Sequence, residues 1–211
     1  MALRLGDVVP NFIADTTQGE INFHEWLNDS WCVFFSHPAD FTPVCTTELG
    51  AVAKYRPQFE ARGVKTLALS VDGINSHGEW IKDINETQCT IVDYPIAADD
   101  ERSIATLYDM IHPNSGDNLT VRSVFIIGPD KKLKLTFTYP AAIGRNFDEI
   151  IRVIDALQLA AKYQVATPAN WQDGQDVIIP LAVPTEEIAE KFPKGHTIIK
   201  PYLRTTPQPN K

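Results

Sequence analysis

The chain has 211 residues, enough for one large domain or for one domain with an appendage. Hydrophobic residues make up 44% of it and charged residues 22%, which is typical of a globular domain with a substantial core. The formal net charge of −8 argues against nucleic acid or an anionic membrane as an obligate partner, and no apolar run approaches the roughly 20 residues of a membrane span.

Strand-like and helix-like segments alternate up to about residue 163. The predicted strands are Cys32–Ser36, Val64–Val71, Ser123–Ile127 and Leu133–Thr138. The predicted helices are Val44–Ala61, Ile74–Glu86, Ser103–Ile111 and Asn146–Tyr163. A turn at 129–132 joins the last two strands into a hairpin. This order predicts an α/β fold in which helices flank a central sheet.

The amino-acid composition of the sequence changes after Tyr163. Seven of the chain's 15 prolines lie between Pro168 and Pro209, and only a short helix is predicted there, at Thr185–Phe192. We therefore predict a domain at 1–163 and a proline-rich extension at 164–211. The extension is too small to hold a core alone, so we expect it to pack on the first domain or on a partner subunit.

Cysteine usage indicates a reducing compartment. Cys32, Cys45 and Cys89 are few and odd in number, which does not suggest a secreted disulfide framework. Asp7 and Pro10 stand where a signal peptide would need an apolar core. These observations predict a cytoplasmic location.

Cys45 has the local sequence of a reactive thiol. Thr42 is a good helix N-cap, and Pro43 suits the first helical position because its missing N–H is not needed there. Cys45 then falls in the first helical turn, where unpaired N–H groups and the helix dipole favour an anion. This position favours the thiolate, which is the nucleophilic form of cysteine. The alternative is a buried, inert cysteine.

The motif also carries a family resemblance. The spacing of Pro38, Thr42 and Cys45 is similar to the P-x-x-x-T-x-x-C of the peroxiredoxins, and SHPADFTPVCTTELG resembles their one-cysteine, peroxiredoxin-6-type subfamily. Three further segments resemble that subfamily: GPDKKLKL at 128–135, YPAAIGRNFDEIIRV at 139–153 and ATPANW at 166–171. The resemblance extends from Leu5 to Pro209.

The resemblance implies a thioredoxin-like fold and a thiol peroxidase that acts on hydrogen peroxide and organic hydroperoxides. Cys45 would be oxidised to sulfenic acid and recycled by an external reductant, namely glutathione, another thiol or ascorbate. The resemblance also implies antioxidant defence and a homodimer, with no cofactor and no metal ion. In the non-enzymatic alternative, Cys45 reports peroxide to a partner as a sensor or a chaperone.

Ionisation of the thiol explains little of such a peroxidase. For a thiol at pH 7, lowering the pKa from about 8.5 to about 6 raises the ionised fraction roughly 30-fold, and the lower nucleophilicity takes back about 13-fold. The net gain is about twofold. Most of the acceleration must therefore come from donors placed at the peroxide oxygens.

Several residues are candidates for supporting roles. The Thr42 hydroxyl lies three residues before Cys45, and Pro38 would shield the thiolate from water. The resemblance implies that Arg122 pairs with the thiolate and that Arg145 is a second arginine near the site. His37 and Glu48 either tune the site and orient Arg145 or are polar residues of a loop and a helix face.

The other two cysteines decide how the oxidised thiol is recycled. Cys32 lies in an apolar strand, which predicts a core residue. No cysteine follows Cys89, so the C-terminal resolving cysteine of typical two-cysteine peroxiredoxins is missing. Cys89 would resolve Cys45 only if the fold or a partner brought the two together.

A second activity is an alternative for this subfamily, some members of which show phospholipase A2 activity. The corresponding residues here are His24, Ser30 and Asp130. The segment Asn28-Asp29-Ser30-Trp31-Cys32 lacks both glycines of G-x-S-x-G, which permit the tight turn that exposes a nucleophilic serine.

Overall fold

The computed structural model describes residues 3–211, which form two compact units. The first unit ends at Phe147, and the second runs from Asp148 to Lys211. No helix in this described part of the chain is long and apolar enough to cross a membrane.

The first unit is built around one mixed sheet. Its elements, in chain order, are β1 (Ile13–Ala14), β2 (Ile21–Asn22), α1 (Phe23–Leu27), β3 (Trp31–Ser36), α2 (Pro43–Glu60), β4 (Val64–Ser70), α3 (Ile74–Gln88), β5 (Ile96–Ala98), α4 (Ser103–Leu107), β6 (Arg122–Ile127) and β7 (Leu133–Tyr139). The strand order of the sheet is β5-β4-β3-β6-β7. Strands β3, β4 and β5 run parallel, whereas β6 is antiparallel to both of its neighbours. The predicted α/β architecture, in which helices flank a central sheet, is confirmed, and the sheet is mixed.

Strand β3 is the centre of the sheet, and its side chains are buried from Cys32 to Ser36. A central strand covered on both faces reads as a continuous apolar run, as this one does. Phe34 lies in a cluster of aromatic rings, 5.0 Å from Tyr108 and 5.6 Å from Phe23 between ring centroids. This aromatic core fixes the strand whose end leads to Cys45.

The topology brings distant segments together at the C-terminal end of β3. The chain leaves β3 through residues 37–42 and enters α2. Because β6 is antiparallel to β3, with Val124 opposite Phe35, its first residue, Arg122, lies beside that exit. Helix α3 contacts α2 from the side, where Trp80 Nε1 donates to Thr46 Oγ1 at 3.2 Å.

The second unit combines a long helix with a small sheet. Its elements are α5 (Phe147–Tyr163), β8 (Val177–Ile178), a 3-10 turn at Thr185–Glu187, α6 (Ile188–Lys191), β9 (Thr197–Lys200) and β10 (Leu203–Thr206). The strands pair antiparallel in the order β8-β10-β9. A separate core contains Ala156, Leu159, Val165, Trp171, Val177, Ile179, Val183, Ile188 and Phe192.

This second core shows which surface the predicted extension packs on: helix α5, which belongs to the predicted domain at 1–163. Trp171, Ile179 and Phe192 are buried within their own unit, where Ala156 and Leu159 of α5 complete the cluster. The compact units divide after Phe147, the first residue of α5, whereas the predicted domain boundary at residue 163 stays a prediction.

The long predicted elements match the structure closely, with one exception. The predicted helix Ser103–Ile111 ends at Leu107 instead. Asp109 has φ of +54°, a left-handed conformation that cannot continue a right-handed helix.

Candidate active site

Cys45 is the third residue of α2, in the helix's first turn, and its side chain is 1% exposed. Thr42 occupies the N-cap position with extended backbone, and Pro43 follows as the first helical residue, as predicted. The Thr42 side chain makes no capping hydrogen bond, and its hydroxyl donates to the carbonyl of Ala39 at 2.8 Å. The capping role expected for this hydroxyl is therefore wrong. The hydroxyl hydrogen is donated to the Ala39 carbonyl, and the oxygen lone pairs can accept a hydrogen bond.

Arg122 contacts the thiol directly. Its Nη1 lies 3.3 Å from Cys45 Sγ and also donates to Glu48 Oε2 at 2.6 Å. The other edge of the guanidinium donates to the Ala141 carbonyl, from Nε at 3.0 Å and from Nη2 at 2.7 Å. The fork is therefore held at both ends, and one N–H is aimed at the sulfur.

Glu48 joins Arg122 to the second arginine, Arg145. Its Oε1 accepts from the Arg145 backbone N–H at 2.8 Å and from Nε at 2.9 Å, and its Oε2 accepts from Nη2 at 2.6 Å. Arg145 Nη1 also donates to the Ser36 carbonyl at 2.8 Å. Of the two interpretations of Glu48, the structure supports the one in which it orients Arg145.

The buried charges leave one positive charge unbalanced. Arg122, Arg145 and Glu48 are all at most 7% exposed, and the two guanidinium groups face a single carboxylate. An unbalanced charge is costly in a buried site. The sulfur of Cys45 lies within reach of this excess positive charge, 3.3 Å from Arg122 Nη1.

Pro38 is buried at the edge of a cleft of about 420 Å³. The cleft is also lined by Thr120, Val121 and Ala141. Because the Ala141 carbonyl binds Arg122, the cleft adjoins the guanidinium group that contacts Cys45.

His37 belongs to a different network from the one expected. Its Nε2 lies 2.9 Å from Asp40 Oδ1, and no hydrogen bond joins it to Arg145 in the described part of the chain. Burial lowers the pKa of His37, nearby His77 and Arg145 lower it further, and together these effects outweigh the raising effect of the Asp40 carboxylate. The other Asp40 oxygen, Oδ2, lies 2.7 Å from both His77 Nδ1 and Ser76 Oγ.

Asp40 is ionised at the centre of this network. Burial raises its pKa, but the hydrogen bonds from His37 and His77 outweigh that effect and hold the pKa well below its usual range. The ligand atoms of Asp40, His37 and His77 lie within 4.8 Å of one another, a set that suits a divalent cation in kind. The separations of 2.7 and 2.9 Å are those of direct hydrogen bonds.

Comparison with known proteins places the chain in a family. The sequence model of the AhpC/TSA family matches residues 5–136, and that of the C-terminal domain of 1-Cys peroxiredoxin matches residues 156–195. The chain is 58% identical over 209 residues to a 1-Cys peroxiredoxin from Dictyostelium discoideum, which covers 99% of this chain and 87% of that protein. The chain belongs to the 1-Cys peroxiredoxins.

Solved structures agree with this assignment. A peroxiredoxin 6 from Arenicola marina superimposes with a TM-score of 0.95 at 49% identity, over 100% of both chains. A yeast mitochondrial 1-Cys peroxiredoxin superimposes with a TM-score of 0.92 at 53% identity, over 97% of this chain and 99% of that one. The thioredoxin-like fold is thereby confirmed, and this peroxiredoxin is a thiol-dependent peroxidase.

The three cysteines of this peroxiredoxin are all free and lie in different environments. Cys32 is a core residue of β3, as predicted, and burial raises the pKa of its thiol well above the usual range. Cys89 is exposed at the C-terminal end of α3. It lies twelve residues beyond His77, or about 18 Å along a helix. Cys89 is therefore remote from the Asp40 network, and its resolving role stays open.

Ser76, His77 and Asp40 are site residues that the sequence analysis missed. Asp40 lies inside the recognised motif, and no role was assigned to it. Ser76 and His77 follow Asp40 by 36 and 37 residues on another helix. No spacing along the chain signals contact over such a distance.

The residues of the phospholipase alternative are not joined by hydrogen bonds in the described part of this peroxiredoxin. His24 Nε2 contacts the Val9 carbonyl at 2.9 Å. Asp130 accepts from Lys134 Nζ at 2.6 Å in the turn between β6 and β7. His24, Ser30 and Asp130 therefore form no catalytic triad, and this alternative is not favoured.

Proposed function

We propose that this thiol-dependent peroxidase reduces hydrogen peroxide and organic hydroperoxides through the thiolate of Cys45. The contact between Arg122 Nη1 and Cys45 Sγ at 3.3 Å carries the proposal. The positive charge left over by Arg122, Arg145 and Glu48 supports a negative charge at the sulfur.

The reaction proceeds by attack of sulfur on oxygen. A lone pair of Cys45 Sγ forms a bond to one peroxide oxygen, and the O–O bond breaks with its electron pair on the other oxygen. That leaving oxygen takes a proton and departs as water or an alcohol. Cys45 is oxidised to sulfenic acid, and the peroxide is reduced.

The donors around Cys45 have distinct tasks in this reaction. The Arg122 N–H and the unpaired N–H groups of the first turn of α2 stabilise charge on the peroxide oxygens. The Thr42 hydroxyl oxygen accepts a hydrogen bond from the O–H of the peroxide, because its own hydrogen is donated to the Ala39 carbonyl. Together they orient the O–O bond in line with the sulfur.

An external reductant completes the cycle. Two thiols convert the sulfenic acid to a thiol, with release of water and of the disulfide of the reductant. The yeast 1-Cys peroxiredoxin with the similar structure is described as resolved through glutathione and thioredoxin systems. We propose glutathione or another small thiol for this chain, with ascorbate as a further candidate.

Peroxide consumption with each reductant tests this function. Cys45→Ser is expected to abolish turnover, because a serine hydroxyl supplies almost no alkoxide near neutral pH. Cys89→Ser, a matched change at an exposed thiol, is expected to retain turnover. Sustained consumption separates an enzyme from a peroxide sensor, which stops after one equivalent. A dead but folded Cys89→Ser variant would contradict the one-cysteine mechanism.

The product at the sulfur gives a second test of the same mechanism. After one equivalent of peroxide without thiol, mass spectrometry is expected to find one added oxygen on Cys45, and excess peroxide is expected to add two or three. A quantitative disulfide between Cys45 and Cys89, or between two copies of Cys45, would instead indicate a two-cysteine mechanism.

We also propose that the protein is a homodimer. Four large apolar side chains of the second unit are at least half exposed in the single chain, which supports an interface there: Leu181, Ile198, Ile199 and Tyr202. Sedimentation of the wild type is expected to give a dimer, and Ile198→Glu with Ile199→Glu is expected to give a monomer. A monomeric wild type would refute the dimer, and a dimeric double variant would exclude this interface.

The proposed location is the cytoplasm. The exposed free thiol of Cys89 supports a reducing compartment. Fractionation of cells that express the tagged protein tests the proposal, and recovery in an organelle or in the medium would contradict it.

A further inference from the structure

Helix α3 contacts the segment that carries the catalytic thiol through one of its faces. Ser76 and His77 reach Asp40 in the loop before α2. One turn later, Trp80 donates to Thr46, whose hydroxyl in turn donates to the Thr42 carbonyl at 2.8 Å. The loop at 37–42 is therefore held from α3 as well as by its own strand and helix.

His77 is fully buried between two acceptors. Its Nδ1 lies 2.7 Å from Asp40 Oδ2, and its Nε2 lies 3.2 Å from the Ala97 carbonyl of β5. An ionised carboxylate can only accept, so Nδ1 is the nitrogen that donates to Asp40. The contact of Nε2 with the Ala97 carbonyl fixes the other side of the ring.

The loop at 37–42 needs such an anchor. Phe41 has φ of +54°, a left-handed conformation that is strained for a bulky residue, and its side chain is 56% exposed. Strained conformations persist only where the surrounding structure holds them. Asp40, the residue before Phe41, is fixed by three side-chain donors and by its own N–H to Asp72 Oδ2 at 2.9 Å.

We propose that His77 is a positioning residue for the peroxidase reaction, which acts through Asp40 to hold Pro38 and Thr42 in place around Cys45. The inference rests on the proposed function of Cys45 and assigns a role to a side chain outside the recognised motif. His77 does not touch the sulfur. It governs how the peroxide is oriented, and it leaves the thiolate itself intact.

Two amide substitutions separate this role from ordinary packing. The amide of Asn takes the place of Nδ1, so His77→Asn keeps a donor to Asp40. The longer Gln places its amide near Nε2, so His77→Gln keeps a donor to Ala97 and loses the one to Asp40. If His77 acts through Asp40, the oxidation of Cys45 by hydrogen peroxide is expected to be about 100-fold slower in His77→Gln than in the wild type. The same rate is expected to be mostly retained in His77→Asn.

Alkylation of Cys45 by iodoacetamide is the second readout. It requires the thiolate and no oriented O–O bond, so its rate is expected to change less than about threefold in both variants. Thr87→Ala is the matched control, because the Thr87 hydroxyl is on the same helix and donates only to the Asp83 carbonyl at 2.7 Å. Thr87→Ala is expected to leave both rates unchanged.

The proposal would be overturned if Cys45 were oxidised more slowly in His77→Asn than in His77→Gln. It would also be overturned if the rates of oxidation and alkylation fell by the same factor. If His77→Gln does not fold, Ser76→Ala removes another donor to the same Asp40 oxygen and is expected to slow oxidation alone by at least about fivefold. An unchanged oxidation rate in Ser76→Ala would then overturn it. A wild type that consumes no peroxide would refute the proposed function instead, so the two failures are distinguishable.

Discussion

All three nitrogens of the Arg122 guanidinium group make contacts in the site. It binds Cys45 and Glu48 through Nη1 and the Ala141 carbonyl through Nε and Nη2. A planar fork can make these contacts at once, and an ammonium group cannot. The direction of the N–H at the sulfur is therefore as important as its charge.

Substitution of Arg122 tests direction against charge. Arg122→Ala is expected to lower the rate of peroxide reduction on the order of 10²-fold, because an oriented donor at a developing charge is lost. Arg122→Lys keeps the charge and is expected to restore only part of the rate. Stopped-flow measurement of Cys45 oxidation gives both values, and full activity in Arg122→Lys would show that charge alone matters.

The predictable part of the site is the part that is local in sequence. Pro38, Thr42 and Cys45 lie within one loop and one helical turn, where capping rules and spacing apply. Arg122 is 77 residues from Cys45 and was identified only through the family resemblance. His77 has neither local spacing nor a recognised motif, so only the fold reveals its contact with Asp40.

At the scale of elements, helices α2 and α3 approach closely at Gly50. A Cβ built on Gly50 would lie 2.5 Å from Gln88 Cγ and 2.6 Å from Gln88 Cβ, closer than real side-chain contacts allow. The absence of a side chain at Gly50 therefore lets α3 lie against α2, the helix that carries Cys45.

Two glycine substitutions test this packing. Gly50→Ala is expected to lower the free energy of unfolding by about 1–2 kcal/mol, because the clash outweighs the better helix propensity of alanine. Gly78→Ala is the matched control, since nothing lies within 4 Å of its built Cβ, and is expected to raise that free energy by roughly 0.5–1 kcal/mol. Urea denaturation measures both, and stabilisation by Gly50→Ala would contradict the close approach.

The predictable elements are those long enough to show a period. The strand at Val64–Ser70 and the helix at Phe147–Tyr163 differ from their predicted bounds by one residue. Strands of two residues, such as Ile13–Ala14 and Val177–Ile178, are too short for any alternation to appear. Their pairing depends on the packed chain around them, which sequence periodicity does not contain.

At the scale of the whole molecule, the second unit depends on one large side chain. Trp171 is 1% exposed, and its Nε1 donates to the Gln175 carbonyl at 3.0 Å. It lies in the cluster that joins α5 to the tail. Removing it leaves a large cavity in a small core.

Trp171→Ala is accordingly expected to lower the free energy of unfolding by about 3–5 kcal/mol. Glu190→Ala is the control in the same unit, because Glu190 is exposed and lies outside the proposed interface, and it is expected to change that free energy by less than about 0.5 kcal/mol. Thermal and urea denaturation followed by circular dichroism measure both variants. Equal effects of the two substitutions would contradict the second core.

Because of the charge balance around Cys45, the melting temperature of the whole chain is expected to depend on the oxidation state of this one sulfur atom. Oxidation to the uncharged sulfenic acid leaves the charge of Arg122 and Arg145 opposed by Glu48 alone, whereas sulfinic acid is again an anion. The melting temperature is expected to fall after one equivalent of peroxide and to recover after excess. Cys45→Ser, which has no charge to lose, is expected to melt at the same temperature throughout. A single calorimeter trace would then distinguish the sulfenic acid form from the two anionic forms, the thiolate and the sulfinic acid, before any assay of activity.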